Sequence, residues 1–514
     1  MPRTERLIPV AGAAVLAAAA ATLAGWLVAA NPALLHVTPS LRNLSALCAA
    51  LAGAALLIVR PRTGIVVLVA LVYLNLSELL VRFHGFPSIM QAIGVPLVIG
   101  AWVGQGTRSV SRTIAPTPLT VALLAFVFVL FVSSSFAHDA ALADERIEEH
   151  AKAMLVYFLV IALVWSPSLA RRATWTLLFA GALIGGIGLI QVLTGEFDST
   201  VGGLGRVKFA QIYGNVFRPR IAGPVGDPNF YAQILIPVAA IGLVLAGHVH
   251  DWRRRTTALV CAGLATCGIV LSYSRGALLA VGLVAFLAAL ANRIPMRRLV
   301  PAALLGALLL FALQPAGLTR RMATIREFLP GQEEAIDPDS SFGERKLLMT
   351  VAWIMFADRP LIGVGAGNYT THFDAYADET GSAFRQWEGV GARRYPHNLY
   401  LEIAAETGVI GLLLFGAGIV ACFALLRRAR LAHTERGDRF LVGVARGIEV
   451  ALVGHLVTSL FLHGAYPRHL WLLFGLAAAV ARVAQPSSDP LHREVEHHDD
   501  GATCMSHVLA PGRA

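Results

Sequence analysis

Apolar residues in this chain come in runs of about 16 to 24, several turns longer than the apolar stripe of a helix that lies against a soluble core. The runs fall at approximately 7–30, 43–59, 64–81, 88–104, 117–136, 152–166, 174–194, 227–248, 256–273, 276–292, 299–314, 398–426, 440–463 and 469–483. Runs of about 17 residues or more cross a hydrocarbon layer of roughly 30 Å as helices, the form that satisfies every backbone amide there, and the few shorter runs put the count at about 12–14. The predicted fold is therefore all-α: a polytopic membrane helical bundle of about 12–14 transmembrane helices with one large extracytoplasmic loop. The run from Leu7 to Ala30 follows Arg3 and Arg6 and exceeds the about 7–15 apolar residues of a signal peptide, so it reads as the first anchored helix.

Composition agrees. Apolar residues make up 56% of the chain and charged residues 14%, with a mean hydropathy of +0.64. A soluble domain carries roughly 25% charged residues, so this chain lacks the polar surface water would require. The net charge of +10 would suggest a nucleic-acid partner in a soluble protein. Here the positions of the charges explain it without one. With the N-terminus inside, the inner connections carry Arg60 and Arg62; Arg108 and Arg112; Arg171 and Arg172; Arg253, Arg254 and Arg255; Arg293, Arg297 and Arg298; and Arg427, Arg428, Arg430, Arg436 and Arg439. That is the positive-inside pattern, and it predicts both termini in the cytoplasm with no nucleic-acid partner. Of the five cysteines, Cys48, Cys261, Cys267 and Cys422 sit in apolar runs and Cys504 in the tail, and their spacing indicates neither a disulfide nor a metal site.

The runs divide the chain into N-terminal helices at 1–194, helices with outward-facing arginine motifs at 195–314, a loop domain at 315–397, C-terminal helices at 398–484 and a polar tail at 485–514. Two outer segments are basic: about 195–226, with Arg206, Lys208, Arg218 and Arg220, and about 315–397, with Arg345, Arg359, Arg393 and Arg394 among others. Long loops cross the membrane despite their charge, and basic residues there suit an anionic ligand. Within the second loop, Thr319–Leu329 and Gly343–Asp358 show helical spacing, as at Leu347, Val351, Ile354 and Met355, and predict two amphipathic helices at the membrane surface. Residues 331–341 read as an exposed acidic turn. The tail reads as disordered, and its His497-His498-Asp499-Asp500 as solvated rather than metal-binding.

Three places carry candidate chemistry. In the first, Asp227 and Pro228 make a helix start, with Arg220 and Asn229 beside the helix N-terminus, a favourable place for an anion. In the second, Ser272-Tyr273-Ser274-Arg275-Gly276 joins two apolar runs with almost no loop. Arg275 there either snorkels to the headgroups or holds a ligand. In the third, Tyr395-Pro396-His397-Asn398-Leu399-Tyr400 opens a helix that runs inward with Glu402 and Glu406 one turn apart. His397 at a helix N-terminus is kept neutral and available as a base. The two glutamates point to a polar interior network. Guanidiniums and an imidazole at one membrane face suit a phosphate-linked substrate.

The same places resemble the O-antigen ligase and O-antigen polymerase superfamily of bacterial membrane glycosyltransferases. The matching pieces are Arg220 with Gly223-Pro224 and Asp227-Pro228-Asn229; Ser274-Arg275-Gly276; Arg359-Pro360 through Gly363, Gly365, Gly367, Asn368 and Tyr369; and Pro396-His397-Asn398 with Gly408 and Gly411. They span roughly residues 200–415. The resemblance implies an enzyme of the bacterial inner membrane with a periplasmic active site. It would move glycan from an undecaprenyl (polyprenyl) diphosphate carrier with inversion, without a metal or other cofactor. His397 would act as base and Arg220 and Arg275 as holders of the diphosphate, with Asn229, Asn398, Tyr400 and Arg345 contacting substrate. Lipid A-core is the acceptor in the ligases and a second carrier-linked glycan in the polymerases, and both stay open. So does a lipid-linked glycan transporter, which intramembrane Glu78, Glu449 and His455 would serve. The absence of internal repeats and the gathering of cations at one face weigh against it.

Overall fold

A computed structural model describes residues 53, 59–84, 96–99, 116–213, 216–295, 297, 341–379 and 393–484. The apolar runs at 7–30 and 299–314, most of those at 43–59 and 88–104, the helix expected at 319–329, nearly all of the turn at 331–341 and the tail from 485 lie outside these residues.

The described chain is helical apart from one hairpin. In order it forms α1 (Gly64–Tyr73), α2 (Leu76–His84), α3 (Pro118–Ser134), α4 (Ala140–Leu163), α5 (Pro167–Thr194), β1 (Val207–Tyr213), β2 (Val216–Ile221), α6 (Pro228–Ala246), α7 (Trp252–Leu271), α8 (Arg275–Ala291), α9 (Ser341–Asp358), α10 (Tyr369–Glu379), α11 (Leu399–Glu435), α12 (Arg439–Thr458) and α13 (Pro467–Val483). Among the described residues, α5, α6, α7, α11 and α12 are long and apolar enough to cross a membrane by themselves. The α1–α2 pair adds a sixth span if it is taken as one helix bent by 59°. The chain is a multi-pass membrane protein.

Helix starts follow local chemistry. The Asp227 carboxylate accepts the Asn229 and Phe230 amides at 2.8 and 3.3 Å, and Pro228 fills the first position of α6, where no amide partner is needed. Asp139, Asp251 and Asn398 cap α4, α7 and α11 in the same way. Helix α6 lies at the centre, packed on α5, α7, α8 and α12, with 89% of its apolar window buried. In α7 and α11 the corresponding shares are 33% and 28%, and Leu259, Val260, Leu413 and Val420 stand exposed, as side chains that face lipid do. The apolar core thus lies between helices, and the outer faces stay equally apolar because their solvent is hydrocarbon.

Three sequence expectations are corrected. The segment 195–226 is not an irregular loop, for it contains the β1–β2 hairpin. The short span expected at 152–166 is the second half of a 24-residue helix that begins at Ala140, because the acidic stretch before it is helical too. The span expected at 64–81 is broken at Leu74-Asn75, where Asn75 has φ 53° and donates its amide to Glu78 (2.7 Å) and to the Pro224 carbonyl (3.0 Å).

The glycine-rich stretch after Arg359 is structural. Helix α11 is interrupted at Gly408 (φ 67°, ψ −166°), and the loop from Pro360 fits into the break. The Val409 amide donates to the Pro360 carbonyl (2.7 Å) and the Val364 amide to the Ala405 carbonyl (2.8 Å). The contact is so close that a Cβ on Gly408 would lie 2.2 Å from the Leu361 carbonyl carbon, and one on Gly363 2.4 Å from that of Glu406. Only glycine fits this crossing. Helix α9 buries Leu348, Val351 and Met355, with Leu347 and Ile354 half-buried, against α10 and the start of α11.

Candidate active site

The hairpin is what brings Arg220 inward. In its register Lys208 lies directly opposite Arg220, a like-charge pair that a hairpin alone disfavours. Each cation is drawn elsewhere. Lys208 reaches Asp227 at 3.4 Å. Arg220 is only 9% exposed; it donates its Nε–H to the Ser272 carbonyl (2.8 Å) and an Nη2 proton to Asn229 Oδ1 (3.0 Å). Burial, opposed by the charge of Asp227 and reinforced by Arg345 and Arg275, lowers its pKa to about 10, so it remains a cation at neutral pH. Ser272 begins the turn between α7 and α8. Its hydroxyl accepts the Ser274 amide (3.2 Å), Tyr273 takes the uncommon φ of 53°, and Arg275 opens α8. Arg220 therefore grips the turn that presents Arg275.

Asn229, Ser274, Arg275 and Arg345 line one cleft with Thr458 and Phe461, and no carboxylate is among its described lining residues. Arg345 comes from α9 of the large loop, so guanidiniums from two distant stretches of chain meet here at the N-termini of α6 and α8. Such a set of N–H donors at helix starts is shaped for phosphate oxygens.

His397 sits just ahead of α11 with φ 51°, a strained conformation for a non-glycine residue. Its Nδ1 is buried and has no hydrogen-bond partner among the described residues. Burial first, then the positive charge of Arg345 and the neighbouring His463, push its pKa down to about 4. The ring is a neutral imidazole at pH 7. His463, on the α12–α13 turn, meets it edge-on with ring centroids 5.5 Å apart and is itself stacked on Tyr395 (4.1 Å, 4°). Burial lowers the His463 pKa to about 3.

Asn398 and Tyr400 are engaged with the chain. Asn398 Oδ1 accepts the Tyr400 and Leu401 amides (3.0 Å each), and its Nδ2 donates to the Leu460 carbonyl (3.2 Å). The Tyr400 hydroxyl donates to the Leu456 carbonyl (2.8 Å). Both hold the start of α11 against the end of α12, and neither lines the arginine cleft.

Glu402 and Glu406 meet a partner that sequence reading overlooked. Arg146 of α4 donates Nη2–H to Glu402 Oε1 (2.7 Å) and brings its Nε within 3.7 Å of Glu406. Glu402 Oε2 also accepts the Gly464 amide (2.6 Å), next to His463. This buried triad fixes the turn on which His463 stands. A signal existed: Arg146 is the one arginine in the otherwise acidic stretch 137–151. His463 gave no signal, being a lone histidine after an apolar run. Elsewhere, Glu78 and Glu449 are taken up by Arg468 (3.4 Å) and Arg430 (3.7 Å).

Searches among curated proteins return no match to this chain. Residues 259–416 match the family model described as O-antigen ligase; Arg275, Arg345 and His397 lie within the match and Arg220 precedes it. The match covers under a third of the chain and supports a likeness of that segment to the O-antigen ligase and polymerase superfamily.

Proposed function

We propose that this protein transfers a glycan from a polyprenyl diphosphate carrier, undecaprenyl diphosphate in bacteria, to an acceptor hydroxyl at the periplasmic face of the inner membrane. The reading is of the O-antigen ligase type, with lipid A-core as acceptor. The observation that carries it is the cleft of Asn229, Arg275 and Arg345, braced by Arg220, with the charge of Arg345 bearing on a neutral, strained His397.

The chemistry follows from charge. His397 takes the proton of the acceptor hydroxyl as its oxygen attacks the anomeric carbon from the side away from the carrier. A carbon–oxygen bond to the acceptor forms while the bond to the diphosphate breaks, so the configuration inverts. The electron pair leaves on the diphosphate oxygen, whose growing charge Arg275, Arg345 and Arg220 neutralise in place of a metal ion. The imidazolium then returns its proton to water. Asn229 and the Ser274 turn orient the phosphates. The basic residues that flank the inner ends of the helices support the orientation that puts this site outside the cytoplasm.

The test is made in cells lacking the gene, complemented with wild type or His397→Ala, with carrier-linked glycan and transferred product both measured. His397→Ala that inserts normally yet leaves carrier-linked glycan unspent supports the transfer. Accumulated long chains mark a ligase, and accumulated single repeats a polymerase working through the same site. Full product from His397→Ala would remove the base and put a transporter in its place.

A further inference from the structure

A second cleft is lined by His463, the ring neighbour of His397, and its described walls carry carboxylates as well as cations. Its walls include Glu145, Glu149, Thr370, Arg393, Tyr395 and His463, and it shares no lining residue with the arginine cleft. His397 has a neighbour in each. The charge of Arg345, from the first cleft, bears on it, while the His463 ring, from the second, lies edge-on to it.

Every cation in this second cleft already holds a carboxylate. Arg393 forms a paired contact with Glu145, Nη1 to Oε1 at 2.9 Å and Nη2 to Oε2 at 2.8 Å. Arg146 holds Glu402 at 2.7 Å, with Glu406 at 3.7 Å and Glu149 at 3.8 Å around it. A phosphate entering here would have to break one of these pairs and lie against Glu149, a like-charge approach. A hydroxyl group faces no such barrier. It donates to a carboxylate oxygen and accepts from a guanidinium N–H while the ion pairs stay intact. The half-buried Tyr395 ring, stacked on His463 on one side, adds an apolar wall of the kind that packs on the C–H face of a sugar.

We propose that this cleft is the acceptor subsite and that it takes the uncharged, hydroxyl-rich end of a glycan, placing one hydroxyl at His397. The inference rests on the transfer reaction proposed above. It assigns the diphosphate of the donor to the cleft of Arg275 and Arg345, and a neutral sugar of the acceptor to the cleft in which Arg393 and Arg146 already hold carboxylates. His397, with Arg345 of one cleft and His463 of the other as neighbours, would take the proton of that hydroxyl.

The test uses the full-length protein in liposomes, with glycolipid extracted from cells lacking the gene as the source of donor and acceptor. The acceptor fraction is supplied intact or chemically dephosphorylated. Glu149→Gln, at a side chain 40% exposed, is expected to raise the acceptor KM about tenfold, as losing a hydrogen bond to a charged group does, and Tyr395→Ala about fivefold through the lost packing face, each with donor KM within about twofold of wild type. Dephosphorylated acceptor is expected to serve as well as intact. An active wild type whose two variants keep the wild-type acceptor KM overturns the subsite while leaving the transfer reading in place. So does strict dependence on acceptor phosphate, or a rise in donor KM equal to that for acceptor. A wild type that transfers nothing from this extract overturns the transfer reading, and the subsite falls with it.

Discussion

The Nε–H of Arg220 donates to the Ser272 carbonyl at 2.8 Å, tying the β-hairpin to the turn from which α8 and Arg275 begin. One side chain thus contributes charge to the cleft and fixes the position of a second charged side chain. Lysine cannot replace it, since an ammonium has neither the Nε–H nor the planar fork. Arg220→Lys is expected to lower transfer by about 100-fold, on the order of 3 kcal/mol of barrier. The measurement is product formed per inserted protein. Activity within threefold of wild type would show that the grip on Ser272 is dispensable.

The imidazole of His397 is neutral down to about pH 4, and its protonated form cannot accept a proton. Transfer is therefore expected to be full above that value and to fall as pH drops through it, well below the ordinary imidazole range near 6.5. Arg345 is one of the charges opposing protonation. Arg345→Ala is expected to move the acid midpoint upward, whatever it does to the rate at neutral pH. An unmoved midpoint in normalised pH–rate profiles would exclude that coupling.

A fold-stability consequence accompanies it. Between about pH 4 and about 6.5 the unfolded chain binds a proton at position 397 that the folded chain refuses, so stability falls as pH falls through that window. Thermal unfolding of the solubilised protein across those pH values, wild type against His397→Asn, is expected to show a shallower acid decline in the variant.

Arg146 and Glu402 are 9% and 3% exposed at the side chain and 2.7 Å apart. Removing either leaves the other buried without its closest counter-charge. Arg146→Met and Glu402→Leu are each expected to destabilise by about 3–5 kcal/mol, and the double variant by less than either single change. Double-mutant analysis of thermal unfolding reads this directly; simple additivity would deny the pair its structural role.

Gly408 holds φ 67° where the Pro360 loop crosses α11. Gly408→Ala adds a Cβ 2.2 Å from the Leu361 carbonyl carbon, and is expected to lower stability by several kcal/mol, with strain of about 1–3 kcal/mol from the backbone and the rest from the clash. Folded yield in membranes should drop sharply, whereas Gly416→Ala, whose added Cβ meets nothing within 4 Å, should behave as wild type.

The long apolar runs determined the helices because lipid leaves the backbone no alternative, and the arginines at inner connections set an expected orientation for the same solvent reason. Proline and aspartate at helix starts were equally legible, since a cap acts over three residues. Arg220, Arg275 and His397 stood out because two guanidiniums and an imidazole at one expected face need an explanation that packing does not supply. What the sequence could not contain was the company these residues keep. The hairpin that turns Arg220 onto Ser272, the arrival of Arg345 from α9, the meeting of Arg146 with Glu402 across 256 positions and the contact of His463 with His397 all join residues far apart in the chain. Such contacts form only when helices pack, because their energy comes from geometry at a distance and leaves no periodic trace in either partner's own stretch of sequence.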